Sequence, residues 1–169
     1  ADPAAPGTLW ACAVAGGIHE LRQGRFHALH GEAAGLAAGR VRALGRERDG
    51  TLLAGGDEGL FRFDGQRWRR LELPGVSPRV VRAWTEDERG ALWIASESSG
   101  LLRWSGGRLA RLGAREGLPF DNIYSLELDR GGGLWFSGDD GLVRLRLQDF
   151  ERWADGQIDA MPFELLAAR

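Results

Sequence analysis

Three histidines, His19, His27 and His30, stand close in sequence to the single cysteine, Cys12. Such a set has the chemistry to ligate zinc, but its spacing is not the compact pattern of a zinc motif. Exposed strand histidines and a small, core-filling cysteine are the simpler reading. A second set is acidic and polar: Asp57 and Glu58, Glu97 and Ser98, Asp121 and Asn122, Asp139 and Asp140. These are the ligand-binding candidates. Their charge suits a cationic or hydroxyl-rich ligand or a basic partner surface, with solvated loop charge as the plain alternative. A third column, Glu47, Asp87 and Asp129, sits three residues before a glycine each time. Carboxylates there can accept backbone N–H bonds in a turn; calcium would need a closer series of oxygen ligands. Gly131-Gly132-Gly133 precedes a strand-like run and not a helix, so it is no phosphate loop. No Ser/His/Asp set can be read from order alone. The catalytic, metal and cofactor assignments are therefore none.

Charge narrows the partners. With 22 basic and 24 acidic side chains the net charge is -2, which argues against a dedicated nucleic-acid surface. The cluster Arg67, Arg69 and Arg70 around Trp68 falls on a strand that reads as a sheet edge, where charge discourages edge-to-edge pairing. The longest apolar run, Leu9 to Ile18, is too short to span a membrane. Ala1-Asp2-Pro3 fits the mature end left by a signal peptidase or a cloning scar, two readings that stay open.

The elements that position these residues emerge from an internal repeat. Four segments align on Gly7, Gly50, Gly90 and Gly132, which lie 43, 40 and 42 residues apart. Each is followed by Leu9, Leu52, Leu92 or Leu134, then by Trp10, Leu53, Trp93 or Trp135. A small residue follows two positions on (Cys12, Gly55, Ala95, Ser137). A Gly-aliphatic step then recurs, as Gly17-Ile18, Gly59-Leu60, Gly100-Leu101 and Gly141-Leu142. Arg62, Arg103 and Arg144 form a further column, with Glu20 in the first copy; a charged strand face with ion pairs between units explains it. Alternating runs between glycine turns read as strands and hairpins, and no segment shows helical period. In the second copy the strands are A (Val41 to Leu44), B (Leu52 to Gly55), C (Leu60 to Phe63) and D (Arg67 to Leu71). Strand A recurs at Val81 to Trp84 and Ile123 to Leu126, and strand D at Phe26, Leu109 and Phe150.

Four-stranded units of this length predict an all-β fold, a β-propeller of about four four-stranded blades, with a β-solenoid as the structural alternative. The whole of 1–169 is one propeller domain or segment, with repeats near 7–40, 41–78, 79–121 and 122–158. The large Trp residues fill the space between blades. The B–C loops and D–A connections emerge on one face, and that face holds the acidic candidates together with Pro74 to Pro78 and Pro119 to Asn122.

The unit of an acidic residue, Gly, spacer, Leu-Trp, a small residue and Gly-Leu-x-Arg resembles the two-component regulator propeller family. The copy at Gly117 to Leu145 is similar almost throughout, and the resemblance covers roughly Gly7 to Trp153, with Leu53 and Glu20 as departures. It implies a periplasmic or extracellular sensor of a bacterial membrane-bound signalling protein. The histidine kinase or cyclic-dinucleotide synthase output lies outside this chain, and the chain itself is not an enzyme. Its partner would be an unidentified small molecule or a protein, not nucleic acid. Since such sensors carry more blades than four, the chain reads as a segment of a larger ring or as a short, closed member. The repeats are also loosely similar to those of propeller lyases, which keeps an enzyme and a purely structural interaction module as alternatives. The first copy begins at strand B, and Phe163 to Leu166 stands in the register of another strand A. Pairing of that segment with strand B near Trp10 would close the ring, within one molecule or, by strand exchange, in a homodimer.

Overall fold

Residues 7–13, 17–97 and 99–166 are described by a computed structural model. Their alternating runs form four antiparallel sheets. Sheet 1 comprises β1 (Thr8–Cys12), β2 (Ile18–Arg22) and β3 (Arg25–His30). Sheet 2 has β4 (Val41–Arg46), β5 (Leu52–Gly56), β6 (Gly59–Phe63) and β7 (Trp68–Arg70). Sheet 3 has β8 (Val81–Glu86), β9 (Leu92–Ser96), β10 (Gly100–Ser105) and β11 (Arg108–Leu112). Sheet 4 has β12 (Ile123–Leu128), β13 (Gly133–Gly138), β14 (Gly141–Arg146) and β15 (Phe163–Leu166). The all-β, blade-like architecture expected from the repeat is present, and among the described residues sheet 1 starts at the strand-B position. The strands form two compact units, Ala1–Glu72 with Arg79–Val81 and Leu73–Pro78 with Arg82–Arg169.

Period-two alternation gives every sheet two different faces. The residues equivalent to Leu52, Ala54 and Phe61 form what we call the leading face. Those equivalent to Leu53, Gly55 and Leu60 form the trailing face. In the first unit, Trp10 and Ile18 on the trailing face of sheet 1 pack on Leu52, Ala54, Phe61, Phe63 and Trp68 of the leading face of sheet 2. His30 lies inside this contact, with ring centroids 5.5 Å from Trp10, 5.1 Å from Phe63 and 6.2 Å from Trp68. Burial holds its imidazole below the ordinary histidine range. In the second unit, Trp93, Ala95 and Leu101 on the trailing face of sheet 3 pack on Leu134, Phe136, Val143 and Leu145 of the leading face of sheet 4.

The small column between Trp and the turn has a steric cause. A Cβ on Gly55 would come within 2.7 Å of the Val81 side chain. One residue beyond that column, a Cβ on Gly138 would fall 2.1 Å from the buried ring of Phe120.

The A–B turn carboxylates tie backbone and tryptophan together. Asp87 accepts the amides of Arg89 and Ala91 and the indole N–H of Trp93, all at 2.9 Å. Asp129 repeats this with Gly131, Gly133 and Trp135, each at 2.8 Å. The turn role is thus observed, and the indole bond adds to it. Glu47, whose blade has Leu53 in place of Trp, instead takes Arg62 with both oxygens, at 2.8 and 2.5 Å. The arginine column divides accordingly. Arg62 and Arg144 pair within their own blades, whereas Arg103 reaches Glu151 of the next at 2.5 Å. Glu20, the exception in that column, is buried and accepts from Arg22.

Two expectations fail in the last blade. Phe150 is not on a strand: Leu147–Ala154 is an α-helix, α1, inserted between strands C and D. Leu147, Phe150, Trp153 and Ala154 recur at helical spacing and face the second unit's core, with Phe150 edge-on to Trp93 at 4.6 Å. A spacing of three puts Phe150 and Trp153 on one face of a helix but on opposite faces of a strand, and the strand reading was wrong. Phe163–Leu166 likewise does not pair with β1. It pairs antiparallel with β14, Phe163 opposite Leu145 and Leu166 opposite Leu142. It is strand D of its own sheet, displaced in sequence by the helix, and Phe163 stands where Trp68 stands in sheet 2.

Candidate functional site

The acidic candidates occupy the B–C turns and D–A connections as expected, but most already have partners. In three blades the second residue of strand A meets the B–C carboxylate fifteen positions later. Arg42 donates its Nε to Asp57 at 2.7 Å, Arg82 donates to Glu97 at 2.5 Å, and Tyr124 donates its hydroxyl to Asp139. The strands help aim these side chains. β4 and β12 carry register irregularities between Val41 and Ala43 and between Ile123 and Ser125, and a bulge leaves its extra residue outside the ladder and re-aims its side chain. Sequence reasoning missed Arg42, Arg82 and Tyr124. The signal available was the constant spacing of fifteen to a turn carboxylate.

Asp57 is a local tie. Its carboxylate accepts the Arg40 amide at 3.0 Å, and its backbone bonds Arg40 and Val80, each at 3.1 Å. The Arg40 amide, followed by Arg42, keeps its carboxyl below the usual range. Glu58 makes an exposed pair with Arg79 at 3.3 Å. Asp121 accepts the Ala114 amide at 2.9 Å and faces Arg111 at 3.5 Å, and its carbonyl takes the Gly100 amide. Ser98 lies outside the described residues.

The second unit brings three of the candidates, Glu97, Asn122 and Asp139, into one run. The Arg82 guanidinium, held by Glu97, lies 5.5 Å from the centre of the Tyr124 ring. Tyr124 and Asn122 both donate to Asp139, the latter at 2.8 Å. Asp140, next to this run, is exposed. Hydrogen bonds from Tyr124 and then Asn122 depress the Asp139 carboxyl, while the same Asp139 contact raises the Tyr124 phenol. Both groups are moved away from neutrality, which suits fixed recognition and disfavours proton transfer at neutral pH. The arrangement offers one guanidinium, one phenol ring, one amide and outward carboxylates.

The histidines and Cys12 do not assemble. His19 stacks edge-on with Phe26 at 5.4 Å, His30 is enclosed by aromatics, and Cys12 is exposed. Among the described residues no group of three His, Cys, Asp or Glu side chains is placed to hold a metal ion. No helix among them is long and apolar enough to cross a membrane.

Comparison with known proteins follows the repeat. No curated protein matches the chain in sequence. It is similar in fold to an extracellular domain attributed to the hybrid two-component system BT3049 of B. thetaiotaomicron, at 21% identity and a TM-score of 0.73, over 100% of this chain and 21% of that one. A second such domain, attributed to BT4673 of the same organism, gives 22% identity and a TM-score of 0.74, over 97% and 21%. A streptogramin B lyase structure gives 16% identity and a TM-score of 0.66, over 96% and 51%. The chain thus spans about a fifth of the two-component domains and about half of the lyase. At these identities the likeness establishes a propeller-type fold. The family described as two component regulator propeller matches residues 117–140, from the D–A connection through β12 and β13 to the B–C turn that holds Asp139 and Asp140. The stretch from Gly117 to Asp140 is thus similar to a two-component regulator propeller repeat.

Proposed function

We propose that the chain is a non-catalytic, extracytoplasmic sensing segment of a bacterial signal-transduction receptor, whose kinase or cyclic-dinucleotide synthase output lies elsewhere. The observation that carries this reading is the regulator-propeller repeat at 117–140, supported by the fold shared with extracellular domains of two-component systems. The ligand or partner is met on the B–C/D–A face, around Arg82, Tyr124, Asp139 and Asp140. Cationic groups, hydroxyl-rich small molecules and basic protein surfaces all fit the outward carboxylates there. The site is periplasmic or extracellular, as in the domains of similar fold.

A thermal-shift screen of the purified chain against polyols, polyamines and basic peptides tests the proposal. A ligand at a hundred times its Kd adds roughly 2.7 kcal/mol of stability. A reproducible shift without turnover supports sensing. The fold shared with streptogramin B lyase favours a lyase as the second reading, and turnover of any screened compound would establish it over the first. A shift with basic peptides alone would point to an interaction module.

A further inference from the structure

His30 belongs to the contact between sheets 1 and 2, and nothing on the candidate ligand face uses it. It pairs with Ile18, and Ile18 with Cys12, so all three stand on the face of sheet 1 that meets sheet 2. Trp10, Phe63 and Trp68 pack around the imidazole, the last two nearly perpendicular to it. Its Nε2 is buried and has no hydrogen-bond partner among the described residues. The same holds for the indole Nε1 of Trp68, a residue 2% exposed. Two partnerless ring nitrogens in one apolar contact call for a physical reason. The charged and titratable groups on this side are few. Sheet 1 offers Cys12, which is exposed, and Glu20, which is buried and already holds the Arg22 Nε at 2.5 Å. Sheet 2 turns Arg46 and Arg70 to the same side, opposite Leu52 and Phe61 in register. Glu32, in the turn after His30, is exposed.

We propose that His30 is an acid-sensitive latch, whose protonation loosens the packing of sheet 1 on sheet 2 and frees the connection that follows it. The neutral ring can accept at Nε2, whereas the imidazolium can only donate from it. The other partnerless atom of the contact, the Trp68 indole N–H, is also a donor. The charged form therefore leaves two donors and a charge in an apolar contact. Aromatic faces attract a cation, but here burial dominates and the imidazole titrates below its ordinary 6.5, with the Glu20 charge opposing that shift. Because the folded-state value is the lower one, the stability due to neutral His30 is complete above pH 6.5 and is lost as the pH falls through that value. The effect reaches beyond the ring. Gly35 lies so close to Trp68 that a Cβ on it would fall 2.4 Å from the Trp68 carbonyl oxygen, and Leu36 is buried in the same core. The connection ends at Arg40, whose amide is held by Asp57 of a B–C turn. The latch acts without any ligand, so its failure would leave the sensing proposal standing.

Melting temperatures of the wild-type chain and of His30→Phe, followed from about pH 8 to about pH 5, test the latch. Phenylalanine keeps a ring in the contact and takes up no proton. The variant's melting temperature minus that of the wild type should rise by several degrees on acidification. A difference that stays constant or falls would overturn the proposal. Hydrogen exchange, corrected for the intrinsic effect of pH, locates the loosening. The amides of Ile18–Arg22 and Trp68–Arg70 should lose protection in acid while those of sheet 4 keep theirs, and the loss should vanish in His30→Phe. Equal loss in sheet 4, or loss that persists in the variant, would contradict the latch. Should His30→Phe fail to fold, the wild-type chain decides through an NMR titration of the His30 imidazole. Exchange that opens with that titration, at a midpoint below 6.5, upholds the latch. A midpoint at or above 6.5, or exchange that does not follow the titration, overturns it.

Discussion

At the residue scale, the recurring device is one carboxylate that serves backbone amides and an indole together. Asp87 is buried and accepts from three donors, two of them on the buried residues Ala91 and Trp93. Replacing it with alanine strands buried donors, at a cost of about 1–3 kcal/mol for such a group and toward the upper end here. Chemical denaturation of Asp87→Ala against the wild type reads this directly. Asp129 makes the equivalent bonds, and the Trp135 indole first, then the Gly133 amide, pull its carboxyl from 3.8 to about 2. Because the folded-state value is the lower one, the ionised carboxylate stabilises the fold above about pH 4. That contribution fades as the pH falls toward 2. The melting-temperature gap between wild type and Asp129→Asn should therefore be constant near neutrality and close on acidification; a gap that widened in acid would reverse the sign. At the candidate face the same logic separates probes. Glu97 and Asp139 brace strand A, so neutralising them disturbs structure along with any binding. Asp140 is the clean probe.

Elements follow from the alternation of side chains, and their failures have physical causes. Strands B and C of every copy, and strand A of the last three, were legible because apolar residues alternate between glycine turns. Strand D was legible where a two-residue turn follows strand C and illegible in the last blade. There sixteen residues containing α1 intervene before Phe163. The placement of the candidate residues on B–C turns and D–A connections was legible by topology, from the up-and-down order of the strands. Their bonding was not, because Arg42, Arg82 and Tyr124 lie on strands and meet their partners only once the ladder is formed. Two substitutions test the elements. Gly55→Ala drives a methyl toward Val81, which is fully buried, and should cost about 1–3 kcal/mol by overpacking. Phe150→Ala removes the fully buried ring from the face of Trp93 and should cost about 3–5 kcal/mol. If Phe150 instead lay on an exposed strand edge, its truncation would be nearly silent in the same urea titration.

At the scale of the molecule, the repeat accounts for the fold, the position of the tryptophans and the family match at 117–140. The B–C turns and D–A connections of the second unit carry a braced polar surface on which the Tyr124 phenol is raised and the Asp139 carboxyl lowered, both away from neutrality. The account's central claim is that this surface binds without catalysing. The most direct test is the thermal-shift screen run in parallel on wild type and Asp140→Asn, with products analysed for every compound that binds. The account predicts a compound that raises the wild-type melting temperature by several degrees and is recovered intact. It also predicts a clearly smaller shift for Asp140→Asn, whose own melting temperature matches the wild type. Equal shifts in both proteins would place binding elsewhere, and chemical conversion of the compound would contradict the non-catalytic claim.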